Sequence, residues 1–292
     1  MKDIRKDTKF IMDKYHIKAK KLLGQNFLIS QDVVEKIVES SQIQKEDLVI
    51  EIGPGLGTLT QFLLEKAGKV ICIELDKRMV NILQDRFGLY DNFELINEDV
   101  LKVDLQGLIA KEKEKSTIKN VKIVANLPYY ITTPIIMKLL EEELELDTIT
   151  VMIQKEVADR LIAIPGEKDT GAITYGVYYY AEAKAILEVP HDCFIPEPEV
   201  TSKVIQLKIR KQPPVEVKDK EVMFRIIKSA FMQRRKTLLN SLTNTRVFFS
   251  KEEGSKILEK LGLDVNTRAE ILTLQNFADI ANRICDISEK DN

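Results

Sequence analysis

Cysteine and histidine are scarce in this sequence. It contains three cysteines, Cys72, Cys193 and Cys285, and two histidines, His16 and His191. None of the cysteines forms a CxxC pair and the histidines are far apart, so the spacing typical of a structural zinc site is absent. We therefore expect no metal in this protein. Cys72 lies inside the apolar run VICIEL and is most simply a core residue.

Long apolar runs are also missing. No stretch approaches the roughly 18–20 apolar residues that span a bilayer, and the first ten residues are polar and charged, unlike a secretory signal. The 292 residues are 44% hydrophobic and 31% charged, an ordinary composition for a soluble globular chain. We expect a cytoplasmic protein with no membrane partner. Its length suits one α/β domain of about 200 residues plus a smaller unit.

The charges nearly cancel, but they are unevenly placed. A net charge of −2 by itself argues against simple nucleic-acid coating. Residues 1–23 nevertheless carry eight Lys or Arg against three acids, and residues 211–250 carry nine against three. Such a bias is found on nucleic-acid-binding surfaces, while a solvated charged surface is an equally open interpretation of the charge alone.

Short apolar runs alternate with helical periodicity through the first half of the chain. We predict helices at 31–45, 58–66, 77–87 and 133–141, and buried strands at 48–52, 69–75, 93–97, 121–125 and 148–153. Strands that alternate with helices indicate a mostly parallel sheet with helices on both faces. The charged segment 111–119 is predicted to be a loop or a frayed helix end.

The pattern changes after residue 165. A helix at 172–181 is followed by predicted strands at 183–189 and 203–209, joined by the loop CFIPEPEVTS, which suggests an antiparallel addition to the sheet edge. Lys211-Gln212-Pro213-Pro214 is predicted to be a linker. Only helical patterns follow, at 221–232, 236–242, 251–261 and 268–284. We therefore predict one domain at 1–211 and a smaller all-α C-terminal domain at 212–292.

A glycine-rich turn follows the strand at 48–52. Glu51 is followed by Gly53, Gly55 and Gly57, with threonine at position 58. Glycine permits the positive φ of a tight turn and lets a ligand touch the backbone. This ExGxGxG spacing differs from the GxGxxG of dinucleotide sites. It fits a turn that holds the methionine end of S-adenosyl-L-methionine better than one that holds a pyrophosphate. A glycine-rich turn without a ligand is the alternative.

Acidic residues follow the next two strands. Glu74 comes 21 residues after Gly53 and directly follows the apolar ICI, where a carboxylate can accept both ribose hydroxyls of a nucleoside cofactor. Asp99 follows the third strand and can accept from the adenine amine of that cofactor. An N-cap for the following turn is the alternative for Asp99, and a surface acid is the alternative for Glu74. Together these residues predict a cofactor site at the carboxyl edge of the sheet.

The fourth strand ends in Asn126-Leu127-Pro128-Tyr129, the most informative tetrapeptide of the chain. An exocyclic aromatic amine is a poor nucleophile because its lone pair is delocalised, and acceptors such as the Asn126 side-chain oxygen and the Leu127 carbonyl can orient it for attack on a methyl group. Pro128 fixes the turn without an N–H donor, and Tyr129 offers a ring on which an extruded base can stack. No strong base is required, so we expect most of the rate to come from positioning. A simple β-turn also uses Asn and Pro.

With these motifs in order, the sequence resembles the KsgA/RsmA family of small-subunit rRNA adenine dimethyltransferases over nearly its whole length. The motifs that carry the resemblance are GQNFL at 24–28, ExGxGxG at 51–57, NLPY at 126–129, QKEVADR at 154–160, FxPxPxVxS at 194–202 and RRKTLxN at 234–240. The resemblance implies a Rossmann-like class I methyltransferase sheet, mostly parallel with an antiparallel edge, and the smaller all-α C-terminal domain. It also implies S-adenosyl-L-methionine-dependent N6-dimethylation of two adjacent adenosines in a hairpin loop near the 3′ end of 16S rRNA, with a role in ribosome biogenesis.

The resemblance further implies roles for particular residues. We predict cofactor contacts at Asn26, Leu28, Gly53, Gly55, Glu74, Asp99, Val100 and Asn126. Tyr129 and Phe194 would sandwich the target base, although a Phe in a proline-rich loop is more often an anchor for that loop. The GQNFL segment can fold over the cofactor as a lid, with a hydrophobic staple to the following helix as the alternative.

Basic residues of the C-terminal domain are candidates for RNA recognition. Arg234, Arg235 and Lys236 lie in a unit without any cofactor motif, and phosphate contacts position a protein on RNA. Capping of helix carbonyls or pairing with acids is the alternative. The expected partner is small-subunit rRNA or a 30S assembly intermediate, bound by a monomer.

Two other functions stay open on the sequence alone. An Erm-type enzyme, which methylates an adenine of large-subunit rRNA, carries a similar NxPY-like motif, but RRKTLLN and the long helical tail favour the small-subunit enzyme. A ribosome-assembly factor that binds RNA and methylates only incidentally is compatible with the same motifs.

Overall fold

The computed structural model describes residues 3–20, 23–115, 117–167, 169–233 and 235–288. Its helices are α1 Ile4–Lys14, α2 Gln31–Ser40, α3 Thr60–Lys66, α4 Lys77–Phe87, α5 Leu105–Glu114, α6 Thr132–Glu141, α7 Lys155–Ile162, α8 Ala172–Tyr180, α9 Lys220–Met232, α10 Leu238–Asn244, α11 Lys251–Lys260 and α12 Leu274–Ser288. Its strands are β1 Phe27–Leu28, β2 Asp47–Ile52, β3 Lys69–Ile73, β4 Phe93–Ile96, β5 Asn120–Asn126, β6 Thr148–Gln154, β7 Ala181–Val189, β8 Phe194–Ile195 and β9 Ser202–Ile209.

Seven strands form one sheet in the order β4-β3-β2-β5-β6-β9-β7. The pairs from β4 through β6 are parallel, and β9 runs antiparallel to β6 with Ser202 opposite Gln154. The antiparallel addition predicted from the sequence is therefore confirmed. The order reverses between β2 and β5, so the loops that leave these two neighbours diverge and open a crevice at their carboxyl ends.

Burial explains why the central strands read as apolar runs. Every residue of β2 is buried, and Val121 to Ala125 of β5 are buried as well. Strands covered on both faces lose the alternation of polar and apolar residues that marks a half-exposed strand. Their predicted positions consequently agree with the observed strands to within two residues at either end.

Helix α7, which directly follows β6, was not predicted, and neither were two helices earlier in the chain. Helix α1 lies in the basic N-terminal segment and buries only Ile4, Thr8 and Ile11. Helix α5 begins at Leu105, where the Asp104 carboxylate accepts a hydrogen bond from the backbone N–H of the third helical residue at 2.9 Å. Both helices bury a narrow stripe between charged residues, which is a weak periodic signal. The segment 111–119, predicted to be a loop or a frayed helix end, is in its first part the end of α5.

Two predicted helices have different bounds for local reasons. The helix predicted at 31–45 ends at Ser40, because Gln42 adopts a left-handed φ of 48° that an α-helix cannot continue. The helix predicted at 268–284 is a short 3-10 turn followed by α12, which begins at Leu274. Between them, the side-chain oxygen of Asn276 accepts from the backbone N–H of Thr273 at 2.9 Å.

The chain divides into two compact units that are not contiguous in sequence. The first consists of Met1–Ala158 and Glu182–Ile209, and the second of Asp159–Ala181 and Arg210–Asn292. The sequence analysis assigned 159–181 to the first domain. The reason for the difference is α8: Tyr175 is fully buried in the core of the second unit, and its hydroxyl donates to the carbonyl of Leu272 at 2.6 Å. None of the helices in the described ranges is long and apolar enough to cross a membrane.

Candidate active site

A cavity of about 1140 Å³, measured out to its open mouth, lies at the carboxyl edge of the first unit's parallel strands. Its wall is formed by residues 23–28, 51–56, 58–59, 73–75, 98–100 and 126–131, with Ile37 and Ile135. These are the segments that precede β1 and follow β2, β3, β4 and β5. The topology therefore brings together residues that are up to about a hundred positions apart in sequence.

The turn after β2 depends on glycine. Gly53, Gly55 and Gly57 have φ values of +66°, +58° and +79°, a region that other L-residues rarely adopt. At Gly57 an added Cβ would lie 2.4 Å from Cε2 of Phe87, so helix α4 excludes a side chain there. At Gly53 the nearest atom to an added Cβ is Cδ of Pro128, 4.0 Å away, which leaves the backbone facing open cavity.

Glu74 lies in the wall directly after β3. Its side chain is largely buried, and its two oxygens accept from the backbone N–H groups of Gly55 at 3.1 Å and Asp76 at 2.8 Å. Burial raises the pKa of its carboxyl above the ordinary value. Each carboxylate oxygen has two acceptor positions, so both can also accept from a ligand hydroxyl.

Asp99 follows β4, and its position is compatible with both roles predicted from the sequence, an N-cap and a ligand acceptor. Its Oδ1 accepts from the backbone N–H of Leu101 at 3.0 Å, which caps the following turn. The residue also lines the cavity beside Val100, whose side chain is buried. A capping oxygen and a ligand-facing carboxylate are thus compatible in one residue.

Asn126 ends β5 and ties the far wall to the N-terminal segment. Its Nδ2 donates to the backbone carbonyl of Asn26 at 3.2 Å, and the Nδ2 of Asn26 donates to the carbonyl of Gly24 at 3.3 Å. No described residue donates a hydrogen bond to the Oδ1 of Asn126, so this oxygen can accept from an amine in the cavity. The segment 24–28 lines the cavity and, through the buried Leu28, also packs in the core.

Tyr129 follows Leu127 and Pro128 in the wall and begins a 3-10 helix. Leu127 is fixed by its N–H, which donates to the carbonyl of Met152 at 3.1 Å. The Tyr129 side chain is half-buried, and its hydroxyl lies 2.6 Å from Oγ of Ser202. Burial raises the pKa of the Tyr129 hydroxyl, which keeps it neutral at neutral pH.

Phe194 does not line this cavity. It is only 1% exposed, pairs with Leu28 in the two-stranded β1–β8 ladder and belongs to the core cluster that includes Val34 and Ile37. A ring without an exposed face cannot stack on a base in this conformation, so the structure matches the loop anchor that was weighed as the alternative. The predicted sandwich of Tyr129 and Phe194 is not formed here.

Three functional candidates were missed by the sequence analysis. Gln25 joins the segment 24–28 to the residues after β3, since its Nε2 donates to Asp76 at 3.0 Å and its Oε1 accepts from Arg78 at 3.3 Å. Ser202 contacts Tyr129 from β9, and Tyr130 is a half-exposed ring in the cavity wall. Gln25 and Ser202 stand in the motifs GQNFL and FxPxPxVxS, and Tyr130 doubles the tyrosine after NLP, but the contacts that give Gln25 and Ser202 a place in the site are long-range and leave no local pattern.

The charge of the wall restricts the ligand. Four carboxyl groups, those of Glu51, Glu74, Glu98 and Asp99, line the cavity, and none of the described lining residues is Lys, Arg or His. A pyrophosphate would meet acceptors and negative charge, whereas a cation would be favoured. S-adenosyl-L-methionine carries a positively charged sulfonium and fits this donor and acceptor set. The glycine backbone at Gly53 leaves room for it.

Glu51 is the most deeply buried of these carboxyls. Its Oε2 accepts from the hydroxyl of Thr60 at 2.6 Å and lies 3.5 Å from the Sγ of Cys72. Burial, aided by the nearby Glu74 carboxylate, raises the pKa of Glu51 to about 7, although the contacts from Thr60 and Cys72 lower it. The ordinary value is 4.5.

Replacing Glu51 by glutamine is expected to change the pH dependence of stability. Between pH 4.5 and about 7 the folded state binds more protons than the unfolded state, so Glu51 destabilises the fold progressively as pH rises through that window. The free energy of unfolding of Glu51→Gln should therefore rise by about 3 kcal/mol relative to that of the parent chain between pH 4 and pH 8. Urea unfolding at several pH values measures this difference, and a difference independent of pH would contradict the prediction.

The predicted RNA-binding residues lie in the second unit. Arg235 and Lys236 are exposed in the turn between α9 and α10, so Lys236 precedes the helix in which it was predicted. Neither forms an ion pair or a side-chain hydrogen bond with another described residue, which removes the pairing alternative for these two. Arg234 lies outside the described residues.

The chain is similar to known proteins over nearly its whole length. Residues 16–286 match the family described as ribosomal RNA adenine dimethylase. Proteins named ribosomal RNA small subunit methyltransferase A from Alkaliphilus metalliredigens and Clostridium acetobutylicum are 49% and 47% identical to it over 277 and 278 residues. These alignments cover 95% of this chain and 96% and 98% of the two relatives.

Solved structures with the same fold were also found. A dimethyladenosine transferase from Plasmodium falciparum matches with a TM-score of 0.73 at 24% identity, covering 91% of this chain and 98% of that one. The 23S rRNA methyltransferase ErmE matches with a TM-score of 0.66 at 22% identity, covering 89% and 100%. At these identities the likeness concerns the fold alone, and it confirms the predicted class of a mostly parallel sheet flanked by helices with a smaller helical part.

Proposed function

This chain belongs to the ribosomal RNA adenine dimethylase family, and from that premise we propose how its residues perform the reaction. It is an rRNA adenine dimethyltransferase that uses S-adenosyl-L-methionine and acts on the small-subunit rRNA. We propose that its targets are two adjacent adenosines in the hairpin loop near the 3′ end of 16S rRNA. Relatives of 45–49% identity that are named for the small subunit favour this target over the large-subunit target of an Erm-type enzyme.

The observation that carries the proposal is the composition of the cavity wall. It joins carboxylates suited to a cationic nucleoside with a free amide oxygen suited to an aromatic amine, at Asn126. Neither feature alone is particular to adenine N6-methylation, and their presence in one cavity supports this reaction. A pyrophosphate would be disfavoured by the carboxylates of this wall, and none of its described lining residues is Lys, Arg or His.

We assign the cofactor to the carboxyl edge of the sheet. Glu74 would accept the ribose hydroxyls, and Asp99 beside Val100 would accept the adenine amine. The backbone at Gly53 and Gly55 would hold the methionine end. Asn26 and Leu28 would close over it from the N-terminal side, together with Asn126. The hydrogen bonds that already fix Glu74 and Asn126 support these roles, since a site ordered in advance loses less entropy on binding.

The part of the protein in the reaction is to position the adenine amine. Bound S-adenosyl-L-methionine supplies an electrophilic methyl group. Asn126 Oδ1 and the Leu127 carbonyl accept the two hydrogens of the adenine amine and turn its lone pair towards that methyl, while Tyr129 supports the base by stacking. As the N–CH₃ bond forms, the S–CH₃ bond would break and its electron pair would stay on the sulfur, which becomes a neutral thioether. The methylated nitrogen is then acidic and loses its proton to solvent, so no side-chain base is needed.

The activity itself is tested by mass spectrometry of rRNA fragments. Purified protein is incubated with S-adenosyl-L-methionine and small subunits that lack the modification. We expect four methyl groups on two neighbouring adenosines of one fragment near the 3′ end. Methylation of another base, or of large-subunit rRNA in a parallel incubation, would contradict the proposed target.

The cofactor assignment predicts a large effect of Glu74→Ala. A hydrogen bond to a charged group is worth about 1.5–3 kcal/mol, so loss of one such bond lowers the cofactor affinity about 10- to 100-fold. Calorimetry with S-adenosyl-L-methionine measures this. Glu74→Gln, which keeps the shape and one acceptor oxygen, should lie between the alanine variant and the parent. Unchanged affinity in both variants would exclude the ribose role.

We further propose that the second unit recognises the ribosomal RNA, with the chain acting as a monomer on a 30S assembly intermediate in the cytoplasm. Support comes from Arg235 and Lys236, two exposed cations with no protein partner in the described chain, next to Arg234 in sequence. Unpaired cations on a unit without a cofactor site are available for phosphate contacts. In this proposal the first unit is the catalytic part, and the second unit, which also includes Asp159–Ala181, is the recognition part.

Replacing Arg234, Arg235 and Lys236 by alanine is expected to weaken binding to small subunits and to flatten its salt dependence. Each phosphate contact contributes about 0.7–0.9 to the slope of log K against log salt, so the slope should fall by about 2–3. Cofactor affinity should not change. If the triple variant binds small subunits with normal affinity at every salt concentration, the RNA is recognised by the basic residues 1–23 or by another part of the first unit.

A charge-matched variant controls for the loss of three positive charges. Lys36, Lys119 and Lys256 are exposed and each is paired with a carboxylate. Their replacement by alanine removes the same charge from sites that are already neutralised. The slope of log K against log salt should then change little. A large change would instead show that the slope depends on the net charge of the protein and not on phosphate contacts at 234–236.

A further inference from the structure

The loop between β7 and β9 contacts the active-site wall through its end. The family resemblance directs attention to Phe194 at the start of FxPxPxVxS, but that ring is buried away from the cavity. Ser202, at the last position of the motif, has a completely buried side chain whose Oγ lies 2.6 Å from the hydroxyl of Tyr129. The motif therefore reaches the target-base residue by a hydrogen bond.

The position of Ser202 is set by the sheet. It is the first residue of β9 and lies opposite Gln154, the last residue of β6. The next residue, Lys155, begins α7, and its backbone N–H donates to the carbonyl of Thr201 at 3.0 Å. Ladder contacts on both sides of Ser202 thus fix its Cα, and the short serine side chain leaves Oγ little freedom to move.

Tyr129 is held at two points. Its backbone begins a 3-10 helix directly after Pro128, whose φ of −60° is fixed by its ring. Its hydroxyl contacts Ser202 and no other described residue, and its ring stacks on no other described aromatic side chain. Without the Ser202 hydroxyl, the ring of Tyr129 would keep its backbone anchor but lose the contact that selects its orientation.

We propose that Ser202 is a positioning residue for the methyl transfer, acting only through Tyr129. By holding the hydroxyl of Tyr129, it orders the ring as a stacking surface before the adenine enters. A ring that is already ordered loses less conformational entropy when the base binds, and it presents the adenine amine to Asn126 in one orientation. This inference rests on the proposed role of Tyr129 in supporting the target base.

A double-mutant cycle tests the proposal. Ser202→Ala and Tyr129→Phe remove the two partners of one hydrogen bond while keeping the stacking ring. We expect each single variant to raise the KM for small subunits about 3- to 10-fold, the range for a net hydrogen bond. The KM of the double variant should be no higher than that of Tyr129→Phe alone, because the hydrogen bond is already lost when either partner is replaced. Cofactor affinity should be unchanged in all three.

Two control variants separate positioning from stability. Ser202→Thr keeps the hydroxyl, so its KM for small subunits should be close to the parental value. Ser41→Ala removes another fully buried serine hydroxyl of the first unit, whose Oγ donates to the carbonyl of Ile37 at 2.7 Å. That variant should lose a similar amount of thermal stability without a change in KM, since it has no contact with Tyr129.

Specific outcomes would overturn the inference. If the effects of Ser202→Ala and Tyr129→Phe multiply in the double variant, Ser202 acts independently of Tyr129. If Ser202→Ala lowers the melting temperature but leaves KM unchanged, its role is structural. If the parent chain does not methylate adenosine, the proposed function is refuted. If the parent chain is active and Ser202→Ala has the parental KM, only the inference about Ser202 is refuted.

Discussion

Asn126→Ala is expected to slow methyl transfer about 100-fold or more in a single turnover while changing the affinity for small subunits little. Its Nδ2 holds the carbonyl of Asn26, and its Oδ1 is left as the free acceptor of the wall. Loss of this acceptor leaves the adenine amine without its orientation, and misplacement of a reacting group by about 1 Å costs on the order of 10² in rate. The effect should therefore fall on the chemical step.

Rapid-quench measurement of methyl incorporation at saturating protein and cofactor checks this prediction. Asn92→Ala is a suitable control, because the Nδ2 of Asn92 also donates to backbone carbonyls, those of Leu64 and Ala67, but outside the cavity wall. It should transfer methyl groups at the parental rate. A near-normal rate for Asn126→Ala would refute the positioning role. Cofactor affinity is measured in parallel, since Asn126 also holds the carbonyl of Asn26 in the cavity-lining segment 24–28.

The same variant separates methylation from assembly. A chain that binds small subunits normally but transfers methyl groups slowly can be supplied to cells that lack the parent protein. Normal subunit maturation with such a variant would favour a binding role in assembly, the function that the motifs alone left open. Impaired maturation would tie the assembly role to methylation.

Phe194→Ala is expected to destabilise the first unit by about 3–5 kcal/mol, the usual cost of truncating a buried Phe. The ring is 1% exposed and packs against the core through the β1–β8 ladder. Truncation would leave a cavity beside Leu28 and so loosen the segment 24–28, which lines the active-site cavity. The free energy of unfolding, measured in urea at constant pH, should fall accordingly.

Phe249→Ala provides the matched control, because Phe249 is 95% exposed and the same atoms are removed. Its free energy of unfolding should change by less than about 0.5 kcal/mol. A different result for Phe194→Ala would contradict the buried position. If its free energy of unfolding is unchanged while its KM for RNA rises, the ring leaves the core and stacks on the base, as the family resemblance implies.

The contacts of Phe194 and Ser202 show where prediction from the sequence reached its limit. The residues of the cavity wall, such as Gly53, Glu74 and Asn126, could be predicted because each follows the carboxyl end of a buried strand, and parallel strands share that edge. The contacts of Phe194 and Ser202 depend instead on which distant strand each one meets. Neither β1–β8 pairing nor the register of β9 on β6 leaves a local pattern.

The unit boundaries illustrate the same limit. The linker at 211–214 was visible as a change in composition, and it coincides closely with the last crossing between the units, at Ile209. The assignment of α8 to the second unit was not visible, because its apolar residues would suit the core of either unit. Only the packing of Tyr175 among residues some hundred positions later decides it.

The chain passes between its two units three times, after Ala158, Ala181 and Ile209. During synthesis, α8 leaves the ribosome well before the helices with which it shares a core, and the strands β7 and β9 follow it before that core is complete. The first unit is complete in sequence once Ile209 has been made, whereas the second, which begins at Asp159, is completed only by the chain from Arg210 onward. The second unit cannot be exchanged between proteins as one C-terminal fragment, because a fragment that starts at residue 212 would lack Tyr175. Recombination that preserves the fold has to replace two segments together, so the two units are expected to be inherited as one gene.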